Sequence, residues 1–182
     1  MTQTRNLIQH PARHLALLFM LLTACLCAFP QRQPVKFEHI STNLGLSQSS
    51  VLCIFQDSRG FMWFGTRDGL DRYNGYEFTV YKNVPNDPKT ISNNFITGIT
   101  EDGNGDLWIA TWGGGVNRYD HTKDRFIHYS TNSFTRFINC VLQDRRGQIW
   151  IGTNGGGVDV LNPTTGVVHT YAHDPDNPTS LS

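Results

Sequence analysis

The sequence predicts an all-β protein: a partial β-propeller of about three four-stranded blades, following an N-terminal signal or anchor segment. Three observations predict it. A pattern Asp-x-x-Gly-x-x-Trp-x-(Gly/Ala)-Thr occurs three times, from Asp57 to Thr66, Asp102 to Thr111 and Asp144 to Thr153. Its tryptophans, Trp63, Trp108 and Trp150, are 45 and then 42 residues apart, the period of a propeller with one blade per repeat. The composition is rich in glycine (17) and aromatics (12%) and poor in charge (16%), which suits short strands and tight turns. No long apolar pattern of helical period appears after residue 30.

Each repeat reads the same way. A first strand (Ser50–Gln56, Phe95–Glu101, Phe137–Gln143) alternates or runs apolar. Asp-x-x-Gly then makes a tight turn, the carboxylate of Asp57, Asp102 or Asp144 accepting from backbone N–H groups and the glycine supplying positive φ. A second strand carries the tryptophan and ends in Gly-Thr. A glycine-rich turn leads to a third strand (Leu70–Tyr73, Val116–Tyr119, Val158–Leu161), and a fourth strand ends in tyrosine. Phe37–Ile40 has the form of these last strands and is expected as an orphan outer strand with no blade before it. The blades are expected at about 47–81, 92–129 and 134–171 within an incomplete propeller of residues 36–182. Residues 178–182 repeat the Pro-x-Thr-x-Ser of residues 88–92 and read as the start of a fourth blade. Three blades close no ring, since natural rings have about 4–8, so the chain reads as a fragment or truncated product.

Burial explains why repeats must stack. A tryptophan ring covers roughly 150–250 Å², worth on the order of 4–6 kcal/mol as an upper estimate. One twisted four-stranded sheet cannot enclose it, so the ring must press on the next sheet. Gly65, Ala110 and Gly152 stand two residues after each tryptophan and let neighbouring sheets approach.

Residues 1–28 read as a signal peptide or membrane anchor. Arg5 and Arg13 precede an uncharged run from Leu15 to Phe29, short for a spanning helix and right for a signal core. Cleavage near Cys27 or Ala28, lipidation at Cys25 of the Leu22-Thr23-Ala24-Cys25 stretch, and an uncleaved anchor all stand open. The protein is therefore expected to be exported and periplasmic, tethered or lipidated in the latter cases. Cys53 and Cys140 fall at equivalent places of non-adjacent blades, too far apart for a disulfide, and are expected as small buried residues.

The charge pattern excludes several functions. Lys+Arg and Asp+Glu are 15 each, so no nucleic-acid contact is expected. Asp57, Asp102 and Asp144 are copied into every repeat, as are the tryptophans, and a catalytic group is made once; these are structural. Asp102-Gly-Asn104-Gly-Asp106 opens like a calcium loop but has Leu107 and Gly113 where the sixth-place glycine and twelfth-place glutamate belong. No zinc spacing, phosphate loop or serine elbow is present. No catalytic residue, cofactor or metal is expected. What differs between repeats is more telling. Arg67, Asp68, Trp112 and Asn154 follow the shared threonine, on the rim that also carries Asn93, Asn94 and Arg136. An aromatic ring, a cation and amides on one rim suit a polar or sugar-like ligand.

The repeat resembles a known family. Gly45-Leu-Ser-Gln, Gln56-Asp-Ser-Arg-Gly-Phe-Met-Trp-Phe-Gly-Thr-Arg-Asp-Gly-Leu and the linker Asn86-Asp-Pro-Lys-Thr-Ile-Ser are similar to the two-component regulator propeller repeat, over residues 36–182. The resemblance implies the N-terminal periplasmic sensor region of a hybrid histidine kinase of the Bacteroidetes type, glycan-responsive, with further propeller and kinase parts and a homodimer in the parent protein. Blade one is a residue shorter at its glycine turn, Ala110 replaces the usual glycine, and the signalling modules are absent from these residues. The expected function is thus an extracytoplasmic ligand-sensing propeller segment with an oligosaccharide partner and no enzymatic activity of its own. A secreted propeller lyase or glycosidase and a protein-interaction scaffold are the alternatives.

Overall fold

A computed structural model describes residues 36–129 and 136–181. The expected signal segment lies outside the described residues. Among those described, no helix is long and apolar enough to cross a membrane.

Twelve strands form three antiparallel four-stranded sheets. The first holds β1 (Val51–Gln56), β2 (Met62–Thr66), β3 (Leu70–Tyr73) and β4 (Phe78–Tyr81). The second holds β5 (Ile96–Glu101), β6 (Leu107–Thr111), β7 (Gly115–Asp120) and β8 (Arg125–Tyr129). The third holds β9 (Ile138–Gln143), β10 (Ile149–Thr153), β11 (Val158–Leu161) and β12 (Val168–Tyr171). Each is a simple meander, the strand order following the sequence. These are the blades of a propeller. In every blade the pairing of first and second strands slips by one residue, at Val51/Cys53, Ile96/Gly98 and Gly152/Thr153, a bulge that twists the strand at a fixed place.

The repeat aspartate does more than close a turn. Its Oδ1 accepts from two turn amides: Arg59 and Phe61 at 3.1 and 2.9 Å, Asn104 and Asp106 at 2.8 and 3.1 Å, and Arg146 and Gln148 at 2.8 and 2.9 Å. Its Oδ2 accepts the indole N–H of the tryptophan six residues on, at 2.9 Å for Trp63 to Asp57, 3.0 Å for Trp108 to Asp102 and 2.9 Å for Trp150 to Asp144. The turn and the ring are therefore one unit, and the polar atom of the indole is satisfied before the ring is buried.

The rings then meet the next blade. Trp63 joins a core with Ile96, Leu107, Ile109, Tyr119 and Phe126 of the second blade. Trp108 joins Ile138, Val141, Ile149, Ile151 and Leu161 of the third. Both are 0% exposed, while Trp150, with no following sheet among the described residues, is 40% exposed. A Cβ on Gly65 would stand 2.7 Å from Ile96 Cγ2 and overlap Cys53 Sγ, so glycine there is what permits the close approach of the second blade. Polar latches run beside this packing. Glu101 accepts from Ser58 N and Oγ at 2.9 and 2.7 Å, Gln143 Oε1 accepts from Gly103 N at 3.0 Å, and Thr97 Oγ1 donates to Ile138 O at 2.6 Å.

Three expectations need correction. Phe37–Ile40 is not a strand: residues 36–40 carry no regular structure, and a single 3₁₀ turn follows at Thr42–Leu44. A lone strand without a neighbouring edge leaves its backbone groups to water. Cys140 is exposed and Cys53 half-buried; both are free. Burial pushes the Cys53 thiol up to about 11. The first strands also begin one residue later than expected, because Ser50, Phe95 and Phe137 belong to the rim.

Two outcomes follow from these bonds. Trp108→Phe leaves the buried Asp102 Oδ2 without a donor and should cost about 1.5–3 kcal/mol, whereas Trp150→Phe leaves Asp144 to water and should cost clearly less; urea unfolding of the two variants measures the difference. The second concerns pH. Asp120 is held down to about 2, first by the Thr122 hydroxyl and then by Lys123. Asp57 also lies below the ordinary range, because the Trp63 indole, Arg59 and the Phe61 amide together outweigh its desolvation. Both contribute stability that is full above the unfolded carboxylate value of about 3.9 and lost as pH falls through the folded values. Asp71, raised by burial, acts in the opposite sense. Unfolding at pH 5 and pH 3 should show lower stability in acid, and Asp120→Asn should narrow the gap.

Candidate functional site

The meander puts the loops of each blade at two ends. The β1–β2 and β3–β4 turns, and their equivalents, lie at one end of the strands. The β2–β3 loops and the segments leading into each blade lie at the other. Arg67, Asp68, Trp112 and Asn154 all fall at this second end.

Threonine shapes each loop there. Thr66, Thr111 and Thr153 donate their hydroxyls to Gly69 O, Gly115 O and Gly157 O at 2.9, 2.8 and 2.8 Å. The loops are then tied to the segment leading into a blade. Gly69 N donates to Asn94 O at 2.8 Å and Gly113 N to Arg136 O at 3.1 Å, both across a blade boundary. Trp112 N donates to Phe95 O and Asn154 N to Phe137 O, each at 2.8 Å and within one blade. The rim is fixed by main-chain bonds, so side chains projecting from it hold their spacing without ordering on contact.

One row of side chains results. The Arg67 guanidinium stands 5.8 Å from the Phe95 ring centre. Phe95 is 6.1 Å from Trp112, and Trp112 is 5.0 Å from Phe137. Trp112 also pairs with Phe137 through an isolated β-bridge. Arg67 and Asn154 are exposed, Trp112 is half-buried and Phe137 is 44% exposed. A cation stacked on an aromatic row, with an amide at its far end, offers apolar ring surface and hydrogen-bond donors together.

Asp68 is committed elsewhere. Its carboxylate accepts from Lys82 Nζ at 2.6 Å and from Asn94 Nδ2 at 3.1 Å. Lys82 holds its carboxyl below the ordinary range. Both partners lie in the segment joining the first two blades, so Asp68 anchors that segment beside the row. It leaves Arg67 without a paired carboxylate among the described residues.

Phe95 and Phe137 were missed by sequence reasoning as members of this row. Each was read as the first residue of an inner strand, since it opens an apolar run. Their shared place before Ile96 and Ile138 was the signal: both immediately precede the bulged segment of the first strand, where the chain has not yet entered the sheet. No three-residue group of His, Cys, Asp or Glu able to hold a metal occurs among the described residues.

The family model described as two component regulator propeller matches residues 45–68, 90–113 and 133–155. Histidine kinase P4 from Formosa agariphila is 43% identical over 76 residues, 42% of this chain and 5% of that protein. The crystal structure of the extracellular domain of the putative hybrid two component system BT3049 from B. thetaiotaomicron aligns with a TM-score of 0.70 at 27% identity, over 76% of this chain and 20% of that one. The corresponding domain of the putative hybrid two component system BT4673 from the same organism aligns with a TM-score of 0.60 at 30% identity, over 72% and 19%. Virginiamycin B lyase from Staphylococcus aureus shares the fold alone, with a TM-score of 0.57 at 19% identity over 75% of this chain and 44% of that one. The chain thus spans about a twentieth of the curated relative and about a fifth of the two extracellular domains. With the repeat matched in all three blades, and those blades built as the repeat requires, residues 45–68, 90–113 and 133–155 are two component regulator propeller repeats.

Proposed function

We propose that this chain is an extracytoplasmic ligand-sensing propeller segment of a hybrid two-component sensor, and that its ligand is a glycan fragment held on the rim that carries Trp112. The observation that carries this reading is the Arg67–Phe95–Trp112–Phe137 row, fixed by backbone bonds across two blade boundaries. Sugar rings have apolar faces that stack on aromatic rings and hydroxyl edges that accept from guanidinium and amide groups. The similarity to extracellular domains of hybrid systems supports the sensor reading and an exported location.

The segment transmits rather than converts. Asp68, the acid nearest the row, is bound to Lys82 and Asn94 and so is poorly placed to move protons for a substrate. The kinase part, and a homodimer through which a signal would pass, belong to the rest of such a sensor. The N-terminal segment, cleaved, lipidated at Cys25 or retained as an anchor, would deliver or tether it outside the cytoplasm. Because the row crosses two blade boundaries, a bound ligand favours one relative setting of the three blades. That is the differential affinity a sensor needs to shift a two-state equilibrium.

Trp112→Ala tests this. It shortens the row at its centre but leaves the Trp112 backbone bond to Phe95 intact. Calorimetric titration with dietary and host oligosaccharides should show at least about a tenfold loss of affinity in the variant, the size expected when one stacked ring worth 1.5 kcal/mol or more is removed. Far-UV circular dichroism should be unchanged. Equal affinity for the two proteins would remove Trp112 from the site, and release of shortened sugars during the titration would favour an enzyme.

A further inference from the structure

The opposite end of the blades carries a second feature. Between the second and third blades, the β5–β6 and β9–β10 turns and the β11–β12 turn wall a cleft of about 670 Å³. Asn104 and Arg118 line it from the second blade, and Gln143, Arg145, Arg146 and Asn162 from the third. Asp102 and Asp144 also border it, but both of their oxygens already accept from an indole and from turn amides. Arg118 Nε is sealed from solvent and makes no hydrogen bond; its nearest carboxylate oxygen, Asp106 Oδ2, is 3.7 Å away. Arg145 and Arg146 are exposed, and neither enters an ion pair among the described residues.

The repeats supply an internal control. The position of Gln143 is Glu101 in the second blade, Arg145 is Gly103, Arg146 is Asn104, Gln148 is Asp106, and Asn162 is Asp120. Over these five positions the formal charge goes from minus three in the second blade to plus two in the third. The structural parts are meanwhile copied unchanged: the aspartate, the turn glycine and the tryptophan. Gln143 still accepts from the Gly103 amide as Glu101 does from Ser58. The first blade has Gln56, Arg59 and Asn74 at the positions of Gln143, Arg146 and Asn162, so Arg145 and Gln148 are what set the third blade apart from both others. In the cleft between the first two blades the cations are spent, Arg59 on Asp57 and Arg72 on the Tyr119 hydroxyl and three aromatic rings. Between the second and third, Arg118 is likewise engaged, 3.7 Å from Asp106 and over the Tyr129 ring, while Arg145 and Arg146 stand exposed on the cleft.

We propose that this cleft is a second ligand site, distinct from the Trp112 rim, that takes a small polyhydroxylated anion: an acidic sugar carrying a carboxylate or sulfate. Arg145 and Arg146 meet the anionic group, each guanidinium having donors to spare for two oxygens. Arg118, its charge shared with Asp106, lines the wall beside them. Gln148 and Asn104 present amides for hydroxyls, Asn162 Oδ1 being held by the Thr164 and Thr165 amides, and the volume is that of roughly a disaccharide-sized pocket. Where the second blade has Glu101, Asp106 and Asp120, the third has the amides Gln143, Gln148 and Asn162.

Saturation-transfer NMR on the whole chain tests this, because it reads the ligand and is indifferent to self-association through the exposed Trp150 face. The probes are digalacturonate, neutral digalactose of the same linkage, and inorganic sulfate as competitor. Digalacturonate should receive transfer, sulfate should displace it, and digalactose should receive none at this site. Arg145→Gln with Arg146→Gln should weaken digalacturonate at least about tenfold, the loss expected from charged hydrogen bonds. Gln148→Glu, which restores an acid where the second blade has one, should weaken it as well. Trp112→Ala should leave it unchanged, which separates this site from the rim. No transfer to digalacturonate, equal transfer to digalactose in the Trp112→Ala background, or undiminished binding by the double arginine variant would overturn the proposal.

Discussion

An indole ring held by its own turn is the constraint from which the rest of the molecule follows. The carboxylate of the Asp-x-x-Gly turn collects its amides alongside the turn's own main-chain bonds, and that same carboxylate accepts the indole N–H. The ring is thereby oriented and relieved of its polar atom, and what remains is a large apolar plate standing off the sheet. Water is excluded from it only by another sheet. This makes each blade dependent on its successor, so that Trp63 and Trp108 are fully covered while Trp150 is not. Stability in such an array is a property of boundaries between neighbours more than of any blade alone.

Because the boundaries carry the stability, the polar latches along them decide where each blade sits. They occur at both ends of the strands. At one end Glu101 and Gln143 reach back to the preceding turn. At the other, loop amides after the shared threonine reach forward to Asn94 and Arg136. Side chains carried on the same loops are consequently placed to within the tolerance of a hydrogen bond. A row such as Arg67, Phe95, Trp112 and Phe137 is then a rigid surface even though it sits on loops. The two ends differ in chemistry, aromatic at the Trp112 rim and cationic beside Arg145, which is how one set of repeats can carry unlike surfaces.

Repetition also separates scaffold from function without any other sequence for comparison. A residue present in all three blades answers a need all blades share, and the structure accounts for each: Asp57, Asp102 and Asp144 by their turn and ring, Thr66, Thr111 and Thr153 by their glycine carbonyl. Residues that break the repeat have no such account. Asp68 shows the limit of this filter, since it breaks the repeat and yet is tied to Lys82 and Asn94 as an anchor for the connecting segment.

By itself the sequence determined the three blades seen among the described residues, the four strands of each and the turns between them, because these rest on local chemistry: alternation of side chains, glycine at positive φ, and an indole too large for one sheet. The third strands and the closing tyrosine strands lie where that chemistry puts them. Tertiary structure alone decided what was covered. Cys140 and Trp150 are equivalent in sequence to buried or half-buried residues and are exposed because no sheet among the described residues stands over them. Phe37–Ile40 has a strand's composition but pairs with no edge among the described residues. Phe95 and Phe137 look like strand residues and belong to the rim, and Arg145 faces Arg118 only because two blades meet there. Burial and adjacency depend on which surfaces are brought together, and no pattern within a single strand encodes that.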